Sequence, residues 1–268
     1  MKKTKTLFLV SILFSFLSHS NEEKLYSKHW PMSLPLKDIT KHPVISHDIF
    51  IFQFDLEKKF PIFLAYFLSP HILWGHSKEE RKYKLDPFLK NNTLSYKDYE
   101  GASDCDKKGR DYGYDKGHLA PLGSFKASLY AYQAQYMSNI VPQKRDLNQG
   151  PWREFEEKVR DFVKTGKEVQ VLTGPIYSKE PNKLAPCWKA VQSKITELPS
   201  SFFKIVIHYS ESQFSSCSII IPQSTKRKTL VKDFEVKIEQ IETQTDLDIL
   251  SDFSGKKVLE NCSFLLKK

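Results

Sequence analysis

Beyond its first twenty residues, the chain has no apolar run long enough to cross a membrane. It also lacks internal repeats, low-complexity tracts and any linker rich in Gly, Ser or Pro that would mark a domain boundary. Its four cysteines form no C-x-x-C pair, and no Cys/His spacing is typical of zinc. With 268 residues and an apolar fraction of 40%, the chain can build a sizeable core. We therefore expect one globular domain without membrane spans.

Residues 1–20 have the pattern of a secretory signal peptide. Three lysines precede an apolar run at 7–17, and Ser18-His19-Ser20 places small residues at the usual cleavage positions. We expect residues 21–268 to form the mature domain of a secreted or periplasmic protein. An even number of cysteines in an exported chain predicts two structural disulfides, and the sequence leaves all three pairings open.

Positive charge exceeds negative charge along the chain. Loss of the three leader lysines lowers the formal net charge from +9 to +6. A basic protein favours a polyanionic partner such as nucleic acid, although many basic secreted proteins bind none. Two basic segments are candidates for such a surface, Lys107-Lys108 with Arg110 and Lys226-Arg227-Lys228. Both also fit ordinary solvated loops, and this is the preferred interpretation of the second segment.

The apolar pattern mixes strands and helices without a regular βαβ alternation. Strands are predicted at 44–55, 60–68, 137–141, 168–172, 202–209 and 217–221, the first two as a hairpin. Helices are predicted at 123–137 and 149–165, and the segment 233–248 begins as a strand and becomes helical. This order predicts an α+β domain with a mostly antiparallel central sheet and helices on its faces.

The helix predicted at 149–165 carries two charged residues beside its apolar stripe. Asn148 is a good N-cap for this helix. Glu156 lies at the edge of the stripe, and Arg160 follows four residues later on the same side. The two can line a cleft, or they can form an ordinary exposed i,i+4 ion pair, which is the commoner arrangement.

The motif Asp115-Lys116-Gly117-His118 predicts a tight turn. His118 is either an ordinary loop histidine or a general base, because a neutral imidazole can take a proton from water. Asn148 offers a neutral oxygen ligand, which suits Mg²⁺ since this ion keeps most of its waters. A nearby carboxylate such as Glu156 could then hold those waters.

Two ordered segments, DKGHLAPL and SNIVPQKRDLNQGPWREFE, resemble the DNA/RNA non-specific endonucleases of the ββα-metal superfamily. The family pattern is Asp-Arg-Gly-His, then Ser-Asn-Ile-x-Pro-Gln, then Leu-Asn-Gln-Gly-x-Trp with a Glu on the following helix. Further similarity extends over most of residues 44–255. The resemblance implies an exported Mg²⁺-dependent endonuclease (Mn²⁺ being an alternative cation). It would hydrolyse DNA and RNA, single- or double-stranded, without sequence specificity, and would leave 5′-phosphate ends.

The resemblance also implies roles for individual residues. His118 would be the general base, Asn148 the direct protein ligand of the metal, and Glu156 the group that orients metal-bound water. Arg81 and Arg160 would face the phosphate and stabilise the charge that develops there.

Three further residues follow from the same resemblance. Asn139 and Gln143 would shape the site and hydrogen-bond the substrate. Lys116 stands where the family usually has arginine, so it keeps the positive charge but loses the planar, bidentate fork. Lys116 is the feature that favours a second hypothesis, a nucleic-acid-binding protein on the same fold with little or no catalysis. A different metal-dependent phosphodiesterase is a third.

The family also carries disulfides. Cys217–Cys262 is the preferred pair in this chain, and Cys105–Cys187 is the second.

Overall fold

The computed structural model describes residues 28–30, 33–75, 82–100, 113–178, 194, 197–210, 213–251 and 258–266. The predicted leader at 1–20 lies outside these residues. So do Arg81, Cys105, Cys187 and the basic segment at 107–110.

A large sheet forms the centre of the molecule. Its strands are β1 (Val44–Ser46), β2 (Ile51–Asp55), β3 (Phe60–Leu68), β6 (Val169–Ile176), β7 (Ser201–Ser210), β8 (Gln213–Pro222), β9 (Glu235–Val236) and β10 (Val258–Glu260). The order is β1-β2-β3-β6-β7-β8-β10, with β9 also paired to β8. The pairs are antiparallel except that of β10 with β8. A separate antiparallel hairpin contains β4 (Tyr114–His118) and β5 (Ile140–Lys144).

The helices are short apart from one. They are α1 (Pro70–Leu73), α2 (Arg145–Leu147), α3 (Arg153–Lys164) and α4 (Ile238–Thr245). Several single turns of 3₁₀ helix connect the larger elements. Within the described ranges, none of the helices has the length and apolar character needed to span a bilayer.

The sheet separates two hydrophobic cores. Successive side chains of a strand point to opposite faces, so β7 sends Phe202 and Val206 into one core and Phe203 and Ile205 into the other. The first core contains the buried side of α3, and the second contains α4. Lys204 lies on the α3 side of β7, between two apolar residues. This layering confirms the predicted α+β domain with a mostly antiparallel sheet.

A disulfide joins the end of the chain to the sheet. Cys217 of β8 is bonded to Cys262, which begins a 3₁₀ turn after β10. Both residues are buried in the core on the α3 side. This confirms the preferred pairing, while the pairing of Cys105 with Cys187 stays a prediction.

The helix predicted at 123–137 is wrong. The stretch contains three short 3₁₀ turns, Leu122–Ser124, Ala131–Gln135 and Met137–Asn139. Its helically spaced apolar residues do not share a buried face, because Phe125 is 1% exposed and Leu129 is 88% exposed. Gln133 instead bonds both the backbone N–H and the carboxylate of Asp48. Tertiary contacts therefore replace the helical hydrogen bonds.

The tight turn predicted at Asp115–His118 is also wrong, since these residues belong to β4. Gly117 serves close packing within the hairpin: a Cβ placed there would lie 2.1 Å from Oε1 of Gln143. The glycine thus accommodates the side chain of the neighbouring strand.

Candidate active site

Two strands followed by a helix form one wall of an open cleft. The β4–β5 hairpin pairs His118 with Ile140, and the chain then continues through α2 and an irregular turn, Asn148–Trp152, into α3. The cleft has a volume of about 580 Å³. It brings together five of the predicted site residues: Lys116, His118, Asn148, Glu156 and Arg160. Residues distant in the sequence therefore share one solvent-accessible space.

Asp115 fixes the position of Asn148. Its Oδ2 accepts hydrogen bonds from Asn148 Nδ2 at 3.0 Å and Gln149 Nε2 at 2.8 Å. Its Oδ1 accepts one from Arg145 Nε at 3.2 Å. One carboxylate on β4 thus holds three side chains of the following helical segment.

The N-cap role predicted for Asn148 is wrong. Helical backbone begins earlier, at Arg145, and Asn148 itself has helical torsion angles of −62° and −44°. The break comes at Gly150, whose φ of −107° and ψ of −119° leave the helical region just before Pro151. Because its amide N–H is bonded to Asp115, Asn148 projects as a site residue and does not cap α3.

The donor set suits a hard cation with few protein ligands. The bond to Asp115 occupies the Nδ2 side of Asn148 and leaves the carbonyl oxygen on the other side of the amide plane. Among the described residues, no three His, Cys, Asp or Glu side chains form a group that could hold a metal ion. A neutral oxygen in an open cleft fits Mg²⁺, which retains most of its waters, better than it fits zinc.

His118 is held from both sides by the backbone around it. Its carbonyl oxygen accepts a hydrogen bond from Trp152 Nε1 at 3.3 Å, and the N–H of Leu119 donates to the carbonyl of Asn139 at 3.1 Å. Its ring lies at a tilt of 36° to that of Tyr83, with 6.0 Å between centroids. The imidazole is therefore placed at the cleft by rigid elements.

Asn139 and Gln143 are buried, and neither lines the cleft. The Asn139 amide bonds the N–H and C=O of Ala120 and the C=O of Ala134, each at 2.8 Å, and so fixes the loop after His118. Gln143 packs on Gly117. The resemblance implied direct contact with substrate for both residues, and such contact requires an exposure that neither has. They position the residues that form the cleft.

Glu156 faces a lysine from the central sheet. Its Oε1 lies 3.6 Å from Lys204 Nζ, and the lysine is fully buried. Burial raises the pKa of Glu156 and lowers the pKa of Lys204 to about 8, while each charge partly offsets the shift of the other. Lys204 Nζ also donates to the carbonyl of Leu119 at 3.0 Å and lies 4.3 Å from the Trp152 ring centroid. Lys204 therefore links the loop after His118 to the helix that carries Glu156.

Arg160 lies one helical turn beyond Glu156 on the same cleft wall. The exposed Glu156–Arg160 ion pair considered from the sequence is not formed, because Glu156 is paired with Lys204. In the part of the chain that the structure describes, no ion pair engages the Arg160 guanidinium. Its charge is therefore directed to the cleft.

Lys116 lies beside two tyrosine rings. Its Nζ is 5.7 Å from the centroid of Tyr83 and 5.6 Å from that of Tyr99. Both distances fall within the range of cation–π attraction. The rings thus restrict the flexible lysine that stands where the family usually has arginine.

Two functional residues were missed from the sequence, Asp115 and Lys204. Asp115 opens the DKGH motif, but its partners become visible only when β4 meets the segment after β5. Lys204 did carry a signal, since it is the one charged residue in the apolar strand sequence FFKIVI. A lysine in such a strand indicates a buried ionic partner, since unpaired charges are rarely fully buried.

Comparison with known proteins agrees with this site. Residues 37–255 match the family model described as DNA/RNA non-specific endonuclease. The chain is 32% identical to a nuclease of Serratia marcescens over 71% of this chain and 68% of that protein. It is 26% identical to a mitochondrial nuclease of Saccharomyces cerevisiae over 84% and 72% of the two chains.

A solved structure shows the same fold. A chain in the crystal structure of an EndoG/EndoGI complex aligns with a TM-score of 0.68 and 21% identity, over 87% of this chain and 94% of that one. The β4–β5–α3 unit is accordingly the ββα-metal motif of this fold. The chain belongs to the DNA/RNA non-specific endonuclease family and is a nucleic-acid hydrolase of that family.

Proposed function

We propose that this protein is an exported, Mg²⁺-dependent, sugar-non-specific endonuclease that hydrolyses DNA and RNA to 5′-phosphate ends. The observation that carries the proposal is the convergence of His118, Asn148, Glu156 and Arg160 on one cleft. A phosphodiester is common to DNA and RNA, so a site built around it requires no base-reading side chain.

His118 acts as the general base. It takes a proton from the attacking water, and the backbone bonds to Trp152 and Asn139 hold its ring in place for that transfer. Because the imidazole is neutral near pH 7, it accepts the proton without prior activation.

Asn148 would hold the Mg²⁺ ion, with Mn²⁺ as an alternative, through its amide oxygen. When bound, such an ion polarises the phosphate and neutralises the charge on the leaving 3′-oxygen. Asp115 orients the Asn148 amide for this role. Glu156 provides the carboxylate that hydrogen-bonds water in the cleft, and Lys204 offsets the tendency of burial to neutralise it.

Arg160 and Lys116 contribute positive charge opposite the phosphate. Arg81, outside the described residues, is proposed for the same task from the family resemblance alone. Together they stabilise the extra negative charge of the transition state.

The activity is tested by incubating the purified protein with plasmid DNA and with RNA, in Mg²⁺ or in a chelator. The wild type should degrade both polymers only with the metal. We expect His118→Ala to lower kcat about 10²–10⁴-fold. His71→Ala is the matched control, because His71 is exposed and lies outside the cleft.

Equal degradation by wild type and His118→Ala would refute the mechanism. Binding of nucleic acid without cleavage by the wild type would favour the binding-protein hypothesis. Mass spectrometry of the products distinguishes 5′-phosphate from 3′-phosphate ends.

Export is proposed from the leader pattern at 1–20, with the mature domain at 21–268. The relatives include proteins named as mitochondrial, so family membership leaves the compartment open. N-terminal sequencing of the processed protein checks this proposal, and an uncleaved amino terminus would contradict it.

A further inference from the structure

One basic segment lies beside the cleft although it plays no part in the chemistry above. The basic loop, residues 223–229, follows β8 and carries Lys226, Arg227 and Lys228. All three side chains are exposed. From the sequence alone this loop is an ordinary solvated turn, and its position in the fold changes that interpretation.

The loop is anchored to the hairpin of the site. The buried Gln223 accepts a hydrogen bond from the N–H of Lys144 and donates one to the carbonyl of Pro142, both at 2.8 Å. Thr229 N–H closes the turn on the carbonyl of Lys226 at 3.0 Å. The three basic residues are thus presented on a structured turn next to β5.

The same loop packs on the turn that carries the proposed metal ligand. A Cβ at Gly150 would lie 2.5 Å from the carbonyl oxygen of Arg227, so the two backbones are in direct contact. Arg227 Nη2 also donates to Gln149 Oε1 at 2.8 Å. Gln149 lines the cleft and is bonded to Asp115. One side chain therefore separates the basic loop from the catalytic space.

The charges of this loop are not neutralised by the protein. In the described ranges of the chain, no ion pair involves Lys226, Arg227 or Lys228. Three adjacent cations repel one another, and an anion brought between them relieves that repulsion. Fixed positive charge at the mouth of a cleft also raises the local concentration of a polyanion.

We propose that the basic loop binds phosphates of the substrate strand that flank the phosphate being cleaved. This inference rests on the proposed nuclease function. Each strand of duplex DNA presents one charge about every 3.4 Å of helix axis, so a strand lying in the cleft places neighbouring phosphates within reach of an adjoining loop. Such contacts carry no sequence information, because they are made to the backbone.

The test is the double variant Lys226→Gln/Lys228→Gln. It removes two charges and keeps Arg227, whose bond to Gln149 touches the site. Binding to a long duplex is measured in the His118→Ala background, with Mg²⁺, between 50 and 200 mM salt. Losing two phosphate contacts should reduce the fall in affinity across this range about tenfold. With His118 intact, the variant should raise KM for long DNA far more than it lowers kcat.

Lys41→Gln/Lys167→Gln is the matched control. It removes the same charge from two exposed lysines outside the cleft and should keep the wild-type salt dependence. Urea unfolding checks that both double variants are folded. An unchanged salt slope and an unchanged KM in Lys226→Gln/Lys228→Gln would overturn the inference, provided that the wild type cleaves DNA. A wild type that does not cleave would instead overturn the proposed function.

A second arm uses vesicles of phosphatidylserine. If the double variant loses vesicle binding while its DNA binding keeps the wild-type salt slope, the loop recognises an anionic membrane and the inference is overturned.

Discussion

Lys204 is the residue that most clearly separates a structural from a functional interpretation of the core. A buried ammonium is unfavourable unless it is paired and hydrogen-bonded, and Lys204 has both kinds of partner in Glu156 and the Leu119 carbonyl. An apolar residue at this position would fill the same space more cheaply. We infer that the lysine is present because it keeps Glu156 charged beside the cleft.

Lys204→Met tests this coupling. The substitution leaves the Glu156 carboxylate without its counter-charge, and breaking one side of a buried pair costs about 3–5 kcal/mol. We expect the free energy of unfolding to fall by that amount, as measured in urea. Glu156→Gln in the same background should recover part of the loss, because no unpaired charge then remains.

The comparison is a double-mutant cycle of wild type, both single variants and the pair. Losses that add in the double variant would show that the two residues are not coupled. The acid limb of the pH–rate profile gives a second readout. It should move to higher pH in Lys204→Met, since Lys204 lowers the pKa of Glu156 and its removal lets burial raise that pKa further.

At the scale of elements, the β4–β5 hairpin determines how the site is built. Gly117 and Gln143 face each other across the hairpin, close enough that any side chain at 117 would overlap the glutamine. His118 follows Gly117 directly, so the packing of the pair also sets the position of the base. The DKGH glycine therefore has a packing reason.

Gly117→Ala should destabilise the protein by about 1–3 kcal/mol through overpacking. The atoms that a Cβ would meet belong to the Gln143 side chain, so Gly117→Ala/Gln143→Ala should regain part of that stability. Thermal unfolding measures both effects. Gly123→Ala is the control, because its added methyl would meet nothing closer than 3.7 Å. No recovery in the double variant would place the strain in the backbone instead.

The elements that the sequence predicted well are those whose apolar pattern is buried locally. The β2–β3 hairpin and the stripe of α3 read directly from Phe60–Leu68 and from Phe155, Val159 and Val163. The stretch 123–137 failed because its partners are distant in the sequence: Gln133 bonds Asp48, and Lys84 pairs with Tyr136. Helical spacing alone could not reveal these contacts.

The same distinction applies to the site. His118, Asn148, Glu156 and Arg160 could be named because they fall in motifs with family spacing. The burial of Asn139 and Gln143 could not, since a motif gives no information on which side of the hairpin a side chain lies. The position of Lys226–Lys228 beside Gln149 depends on a contact across 78 residues, which no local pattern encodes.

At the scale of the whole molecule, the sheet holds together segments from both ends of the chain. The C-terminal segment returns to β8 as the parallel strand β10, and the Cys217–Cys262 bond then closes a loop of 45 residues. Phe264, two residues later, packs on Phe162 near the end of α3, with 5.2 Å between ring centroids. The disulfide thus secures the sheet beneath the distal half of the catalytic helix.

Cys217→Ala/Cys262→Ala should lower the free energy of unfolding by about 4 kcal/mol, because a closed loop of this length restricts the unfolded chain by that amount. The activity of the folded variant should stay near wild type, since neither cysteine lines the cleft and the groups that do are held by Asp115, Asn139 and Lys204. Urea unfolding and kcat at a temperature well below the transition measure the two quantities separately. A variant of unchanged stability but reduced kcat would show that the bond shapes α3 directly, and the separation between the supporting sheet and the cleft would then be wrong.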